Sequence, residues 1–255
     1  MTQHPLHFFG DSFTAGDELV DWQYVENYPP YTSFWNLQEP SKRKRPPLDH
    51  LDKKQLVDLS ITEKKQSYAG LLGGVNHGIS GCSMQTIARH VIEYLEHTNN
   101  KSIIFIQPTD IYRWCEFVNG KWTDFNSTYI PTDDTIAYYK FRLAHSTDFS
   151  NLVLWYNCLI TLIGYVRSHH NTADWWLVNN GVFNSIESLT EDKKISNMIN
   201  TIKKFREKMI NFPQVDDMEY PYYCVGGHVN NEAHNELAER IKKKTTIDAL
   251  RRYTK

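Results

Sequence analysis

The sequence predicts a three-layer α/β/α sandwich built around a central, mostly parallel β-sheet. Short apolar runs that stop at turn-forming residues alternate with longer segments of helical periodicity, which is the pattern of a parallel sheet covered on both faces. A chain of 255 residues is long enough to bury the core of one such domain. We therefore assign residues 1–255 to a single domain, with an irregular insertion at about residues 18–66.

Four short segments are predicted strands. Residues 6–9 form an apolar run that ends at Gly10, and residues 102–107 are rich in β-branched side chains and end at Pro108. Residues 175–179 end at Asn180-Gly181, and residues 74–76 are the end of a further short strand.

Helices are expected between these strands. Apolar residues at helical spacing cover 87–95, after Ser83, and an amphipathic stripe runs from Ile195 to Met209. Residues 151–167 are apolar nearly all round, which predicts a buried helix, and a last helix begins near Ala233.

Two regions do not follow the alternation. The 18–66 insertion holds several prolines and aromatics and the basic run Lys42–Arg45, which we interpret as part of an exposed loop. Residues 118–135 are predicted to be a second irregular loop, with a hairpin at Asn119-Gly120.

Charge and composition exclude several classes of protein. With 28 Lys and Arg against 30 Asp and Glu, the net charge is −2, which predicts no strong attraction to nucleic acid or to a membrane surface. The start of the chain shows no signal peptide, so we expect a cytoplasmic protein. The apolar run 152–166 is too short to span a bilayer comfortably. The four cysteines form no CxxC pair, which predicts reduced thiols and no zinc site.

The segment Phe9-Gly10-Asp11-Ser12-Phe13-Thr14-Ala15-Gly16 carries the first chemical signal. A serine just past a buried strand can direct its hydroxyl into the crevice where parallel-sheet proteins bind ligands, beyond the carboxyl ends of the strands. The alternative is that Ser12 only caps the helix that follows. Residues 76–78 and 108–110 also follow predicted strands, so we expect these three strand ends to lie side by side.

Three further segments accompany it. In Asn76-His77-Gly78-Ile79-Ser80-Gly81-Cys82-Ser83, a glycine can bring a bare N–H close to a developing oxyanion. We expect Ser80 and Ser83 to be turn and helix-cap residues. In Gln107-Pro108-Thr109-Asp110, the Thr109 hydroxyl can donate one hydrogen bond, and Asp110 is expected to pair with Arg113. The segment 227–238 contains His228, whose neutral imidazole can accept the proton of a serine, and His234, which we expect to pack or cap.

Taken in order, these four segments resemble the sequence blocks of the SGNH (GDSL-like) hydrolase superfamily. The resemblance implies a flavodoxin-like fold with Ser12 as nucleophile and His228 as general base. It also implies an oxyanion hole formed by the N–H groups of Ser12 and Gly81. For the third donor three alternatives are open: Thr109, Asn76, or no third donor at all. No cofactor or metal is implied.

The chain departs from the family pattern at two functional positions. Thr109 stands where the family has an oxyanion-hole asparagine, and Val225 stands where it has the acid of the triad. Three possibilities remain open for the acid: a Ser–His dyad, a backbone carbonyl that orients His228, or a carboxylate from elsewhere, with Asp216, Asp217 and Glu219 as candidates.

The resemblance therefore implies a serine esterase or deacetylase. Because aromatic side chains in the insertion can stack on sugar rings, an O-acetyl ester on a glycan is the first expected substrate. The alternative is a weak or inactive SGNH fold that serves as a binding or virion protein, with the 18–66 insertion as its protein interface. The Gly-Cys-Ser and Thr-Asp-x-x-Arg patterns are similar to SGNH-like proteins of large tailed phages, which would imply a virion location. Nucleic-acid binding through the basic run is a third, weaker hypothesis.

Overall fold

The computed structural model describes residues 4–28, 45–125, 132–133, 135–187, 193–216, 223–224 and 227–253. Its strands are β1 (Leu6–Phe9), β2 (Val75–Asn76), β3 (Ser102–Ile106), β4 (Trp114–Val118), β5 (Lys121–Phe125), β6 (Thr172–Asn179) and β7 (Met209–Asn211). Its helices are α1 (Ser12–Ala15), α2 (Lys53–Gln66), α3 (Tyr68–Leu71), α4 (Met84–His97), α5 (Ile136–His145), α6 (Asp148–Ser168), α7 (Val182–Glu187), α8 (Lys193–Lys203), α9 (Pro213–Asp216) and α10 (Asn231–Tyr253).

Five strands form one parallel sheet in the order β2-β1-β3-β6-β7. When these five are numbered among themselves along the chain, the order becomes 2-1-3-4-5, which is the flavodoxin-like, doubly wound arrangement. The predicted fold class is therefore confirmed. The direction in which strands are added reverses between β1 and β3, and the crevice at such a reversal is where proteins of this class bind ligands.

Both faces of the sheet are buried, as a three-layer sandwich requires. Successive strand residues point to opposite faces, so Phe9 and Ile106 pack against α4 and α6, whereas Phe8 and Phe105 pack against α3 and α10. This burial on two sides explains why the strands are continuous apolar runs rather than alternating ones.

The predicted helix at 151–167 extends over Asp148–Ser168 and starts with a capping box formed by Thr147 and Ser150. Seven of its residues are buried, whereas Leu154 is 43% exposed, so the helix packs through one face rather than all round. Within the described part of the chain it is the one helix that is long and apolar enough to cross a membrane by length and composition.

Two predictions for the fold were wrong. The amphipathic stripe predicts a helix that continues to Met209, but α8 ends at Lys203 and Met209 begins β7. The reason is that β7 is an edge strand of the sheet, where it pairs with β6 and buries Ile210. The insertion is also less irregular than expected, since residues 53–66 form α2. The helix was not predicted because its sequence carries no apolar stripe. It has little to bury, and only Leu59 and Glu63 are buried.

The predicted hairpin turn at Asn119-Gly120 and the predicted helix cap at Ser83 are both confirmed. The hairpin at Asn119-Gly120 joins β4 to β5, and both turn residues have positive φ, 50° and 81°, as a two-residue hairpin turn needs. Ser83 caps α4 as predicted, with its side chain accepting from the Thr86 N–H.

Removing a side chain from the centre of the sheet should be far more costly than removing one from its surface. Phe105 is 1% exposed and stacks on Phe8 with ring centroids 4.4 Å apart, whereas Phe141 on α5 is 64% exposed. We expect Phe105→Ala to lower the free energy of unfolding by about 3–5 kcal/mol and Phe141→Ala by less than about 1 kcal/mol, measured by urea denaturation. Similar losses for the two variants would contradict this account of the core.

Candidate active site

Three of the candidate segments from the sequence analysis converge at the carboxyl edge of the sheet. Because β1 pairs with β2 on one side and β3 on the other, residues 10–12, 77–81 and 107–110 follow three adjacent strands. The prediction that these strand ends lie side by side is confirmed. They flank the point between β1 and β3 where the strand order reverses.

Ser12 is the first residue of α1, and its hydroxyl is both buried and unpartnered. The helix cap is Asp11, whose carboxylate accepts the N–H of Phe13, so the alternative interpretation of Ser12 as the cap is wrong. Ser12 is 2% exposed, and its Oγ makes no hydrogen bond to any described residue. Buried hydroxyls almost always have a partner, so this one requires an explanation.

Gly10 is needed for close packing beneath Ser12. A Cβ at this position would lie 2.2 Å from Thr14 Oγ1 and 2.8 Å from Gln107 Cβ. The turn before Ser12 can therefore pass this close to the β3 loop only with a glycine.

Asp11 joins the two loops at the strand reversal. Its carboxylate accepts hydrogen bonds from Gln107 Nε2 at 2.6 Å, Thr109 Oγ1 at 2.9 Å and Arg113 at 3.0 Å. The expected pair between Asp110 and Arg113 is wrong, because the Arg113 guanidinium instead pairs with the buried Asp11, while Asp110 is exposed and accepts the N–H of Tyr112.

Gln107 and Thr109, which follow β3, both belong to this hydrogen-bond network. Gln107 donates to Asp11 and accepts from Thr14 Oγ1 at 2.7 Å, and Thr14 is in turn 2.8 Å from the hydroxyl of Tyr68. The one hydroxyl hydrogen of Thr109 is directed to Asp11. Thr109 is therefore committed to holding the Ser12 turn.

Residues of the segment 76–83 also support the helix that carries Ser12. Asn76 Nδ2 donates to the Thr14 carbonyl at 2.6 Å and to Ser67 Oγ at 2.8 Å, so both hydrogens of the amide are used within the fold. Gly81 has φ of 72°, in the left-handed region that favours glycine. Ser80 donates to Asp17, in keeping with its expected role as a turn residue.

Cys82, beside Gly81, is buried and its thiol donates to the Gly10 carbonyl at 3.5 Å. Burial raises the pKa of this thiol, so it stays protonated at neutral pH. The side chain is part of the core rather than a nucleophile.

His228 lies beside the Ser12 helix. Its ring meets the ring of Phe13 edge-on, with centroids 5.6 Å apart, and its carbonyl accepts the N–H of Cys224 at 2.7 Å. Ser12 and His228 are thus brought to the same edge of the sheet, although no hydrogen bond joins Ser12 Oγ to the ring in this structure.

Among the residues that the structure describes, the carboxylate that contacts His228 is that of Glu18. Its Oε2 lies 3.0 Å from His228 Nδ1 and 3.3 Å from the His228 backbone N–H. Of the acids proposed from the sequence, Asp217 and Glu219 lie outside the described residues, as does Val225, and the side chain of Asp216 is not described either. Glu18 was missed because it lies 210 residues from His228 and matches no family position.

Electrostatics at His228 are set by two opposing effects. Burial lowers the pKa of the imidazole, but the hydrogen bond and negative charge of Glu18, supplemented by Asp17 and Asp11, outweigh it and hold the pKa of His228 above its ordinary value. An imidazolium formed at this position is thus stabilised.

His234 has the structural role that the sequence predicted. It is 1% exposed, and its Nδ1 accepts the N–H of Tyr68 at the start of α3 at 2.9 Å. Burial lowers the pKa of His234 to about 3, so the ring remains neutral. Among the described residues, no group of three or more metal-binding side chains comes together.

No protein-family model and no curated protein matches the sequence. Among solved structures, the chain is similar to a member of the lipolytic protein G-D-S-L family from Veillonella parvula, with a TM-score of 0.47 and 11% identity over 94% of this chain and 97% of that one. It is also similar to a carbohydrate esterase family 2 enzyme with a carbohydrate binding domain from Corynascus thermopiles (Myceliophthora fergusii), with a TM-score of 0.48 and 12% identity over 97% of this chain and 66% of that one. These likenesses concern the course of the backbone, whereas the chemistry depends on the side chains at the carboxyl edge.

If Asp11 is the acceptor that holds the site together, its charge must matter for stability. In Asp11→Asn the amide would direct hydrogens toward groups that are themselves donors and would leave Arg113 without its partner. We expect a loss of about 3 kcal/mol in the free energy of unfolding, measured by urea denaturation. The matched variant Asp110→Asn removes an exposed carboxylate one residue from Thr109 and should change it by less than about 0.5 kcal/mol. Equal effects would refute the central role of Asp11.

Proposed function

We propose that the protein is a serine hydrolase that cleaves an ester, with Ser12 as nucleophile and His228 as general base. The observation that carries the proposal is the buried hydroxyl of Ser12, which has no partner among the described residues. The next residue, Phe13, packs against the imidazole of His228, which is paired with a carboxylate. An unpaired hydroxyl at the strand reversal is accounted for if its partner is a substrate.

The proposed reaction has two stages. Ser12 Oγ attacks the ester carbonyl carbon as His228 accepts the hydroxyl proton, and the tetrahedral intermediate collapses when His228 returns that proton to the departing alcohol oxygen. Water then attacks the acyl-enzyme, giving its proton to His228. The ring protonates Ser12 Oγ as the acid product leaves, so the enzyme is regenerated without a net change in protons bound.

Two backbone N–H groups are available to stabilise the oxyanion. Ser12 is at the first position of α1, where a helix leaves its N–H groups without intrahelical partners. Neither this N–H nor that of Gly81 donates to another residue in the part of the chain that the structure describes. We assign the oxyanion to these two donors and omit Thr109 and Asn76, whose hydrogens are used elsewhere.

An O-acetyl group on a glycan is the substrate we favour. Trp22 is 52% exposed and lies four residues after Glu18, so the segment that contacts His228 also carries an exposed large aromatic face. Exposed aromatic rings of this kind can stack on the apolar faces of sugars. A short acyl group also suits a serine enclosed as closely as Ser12.

Activity on p-nitrophenyl acetate should depend on both side chains. We expect wild type to hydrolyse the ester and Ser12→Ala and His228→Ala to fall to background, because removing the nucleophile or the base eliminates most of the rate enhancement. Ser168→Ala and His97→Ala, at the ends of α6 and α4, are controls that should retain full activity.

Labelling with a fluorophosphonate gives a second measurement. Wild type should be labelled at Ser12, and Ser12→Ala should not react. Equal activity in wild type and both site variants would refute the assignment of Ser12 and His228. If wild type neither turns over nor is labelled, the chain is an inactive SGNH-like fold used for binding.

The pH dependence of kcat/KM should reflect the raised pKa of His228. The base functions only when the ring is neutral, so a pKa above the ordinary value of about 6.5 shifts the rise in activity to higher pH. We expect kcat/KM for p-nitrophenyl acetate to be low at about pH 5 and to rise with a midpoint above about 6.5. A midpoint below that value would contradict the dominance of Glu18 over burial.

A further inference from the structure

We propose that Glu18 is the positioning carboxylate of His228, supplied by the segment that follows the Ser12 helix instead of by the residue three positions before the histidine. The inference rests on the proposed function and identifies the group that orients its base. It closes the question left by Val225, which cannot orient an imidazole.

The contact determines which ring nitrogen is available for chemistry. A carboxylate only accepts hydrogen bonds, so the hydrogen between Glu18 Oε2 and His228 Nδ1 belongs to Nδ1. In the neutral ring Nε2 is then free to accept a proton. Because the same oxygen also accepts the His228 backbone N–H, Glu18 orients the loop as well as the ring.

Glu18 is held in an unfavourable backbone conformation. Its φ is 72°, in the left-handed region, which costs a residue with a side chain roughly 1 kcal/mol. Such a conformation persists only where the surroundings impose it, and it is found most often at functional sites. Here it accompanies a carboxylate whose side chain is 0% exposed and which lies against His228.

A buried ionic cluster supports this conformation from behind. The Glu18 N–H donates to Glu63 Oε1 on α2 at 2.8 Å, and Arg45 donates to the same oxygen at 2.9 Å. Arg45 also makes a two-point contact with Asp21, at 2.6 and 2.7 Å. The Glu63 carboxyl that accepts the Glu18 N–H is therefore held in place by the Arg45 guanidinium.

Arg45 has a different role from the one expected of the basic run. The sequence predicted an exposed loop, but the Arg45 side chain is only 27% exposed and lies between two buried acids, whereas residues 42–44 lie outside the described part of the chain. Burial raises the pKa of Glu63 to about 8, an effect that Arg45 partly offsets. Without this cation, the pKa of Glu63 would rise further, and Asp21 and Glu63 would lose the donor that joins them.

Among the described residues, three charged groups face His228: Asp11 before α1, and Asp17 and Glu18 after it. A fourth titratable group, His234 on α10, is neutral. Glu18 is the one that contacts the ring, so its replacement should shift the titration of His228 more than any other single change.

The test compares Glu18→Gln with wild type in hydrolysis of p-nitrophenyl acetate across pH. Glutamine preserves the volume and one acceptor oxygen but removes the charge that stabilises the imidazolium. We expect kcat to fall about 10²–10⁴-fold with little change in KM, and the midpoint of the pH profile to move below that of wild type. Asp110→Asn, which removes an exposed carboxylate at the same edge of the sheet, should change neither quantity.

A measurement independent of turnover separates this inference from the proposed function. In the Ser12→Ala background, ¹⁵N-histidine NMR should give His228 a pKa above about 6.5 and a protonated Nδ1 in the neutral ring, and adding Glu18→Gln should lower that pKa. If the esterase assay fails but the NMR shift is observed, the role of Glu18 stands and the hydrolase proposal falls. If wild type is active and Glu18→Gln retains its kcat and midpoint, the role of Glu18 falls and the Ser12–His228 proposal stands.

Glu18→Asp covers the case in which the glutamine variant does not fold. Aspartate keeps the charge but withdraws the oxygen from Nδ1 by one methylene, so kcat should fall while the pH midpoint stays closer to that of wild type than to 6.5. Wild-type kcat in Glu18→Asp would overturn the inference, because a carboxylate that acts through one 3.0 Å contact cannot be shortened without effect.

Discussion

Four hydrogen bonds converge on the Asp11 carboxylate, and three of their donors are side chains of the loop that follows β3. The fourth is the Phe13 N–H at the start of α1, so one buried group caps the helix that carries Ser12 and ties it to the neighbouring strand. A carboxylate that is 2% exposed is tolerated at this depth because each oxygen has two donors and one donor is cationic. The position of the Ser12 hydroxyl depends on this arrangement.

The opposite side of the site depends on a second buried carboxylate with a different kind of support. Glu18 reaches His228 from only six residues beyond Ser12, and it is anchored through Glu63 to Arg45, beyond the undescribed part of the insertion. The insertion and the histidine that we propose as general base are thus linked through one guanidinium. Because Asp21, Glu63 and Glu18 are all buried, the orientation of the histidine is tied to the folding of residues 45–66.

Features that depend on a few neighbouring residues were predictable from the sequence. The bounds of β1, the cap at Ser83 and the turn at Asn119-Gly120 follow from local chemistry, namely a run of apolar side chains, a hydroxyl next to free N–H groups, and residues that tolerate positive φ. The short strand β7 could not be predicted in this way. Three residues are too few to show a hydrophobic periodicity, and their conformation comes from pairing with β6. The polar helix α2 was missed for a similar reason, because its one buried acid resembles any surface glutamate in sequence.

The sequence by itself determined the fold class and singled out Ser12 and His228 as candidates, because strand ends, glycines and short motifs are patterns of neighbouring residues that can be recognised without the structure. Only the tertiary structure decided how those residues are supported. Arg113 pairs with Asp11 across 102 positions, and Glu18 contacts His228 across 210. Hydrogen bonds between side chains depend on distance in space and not on separation along the chain, so the partner of a buried charge is known only once the sheet has brought its strand ends together.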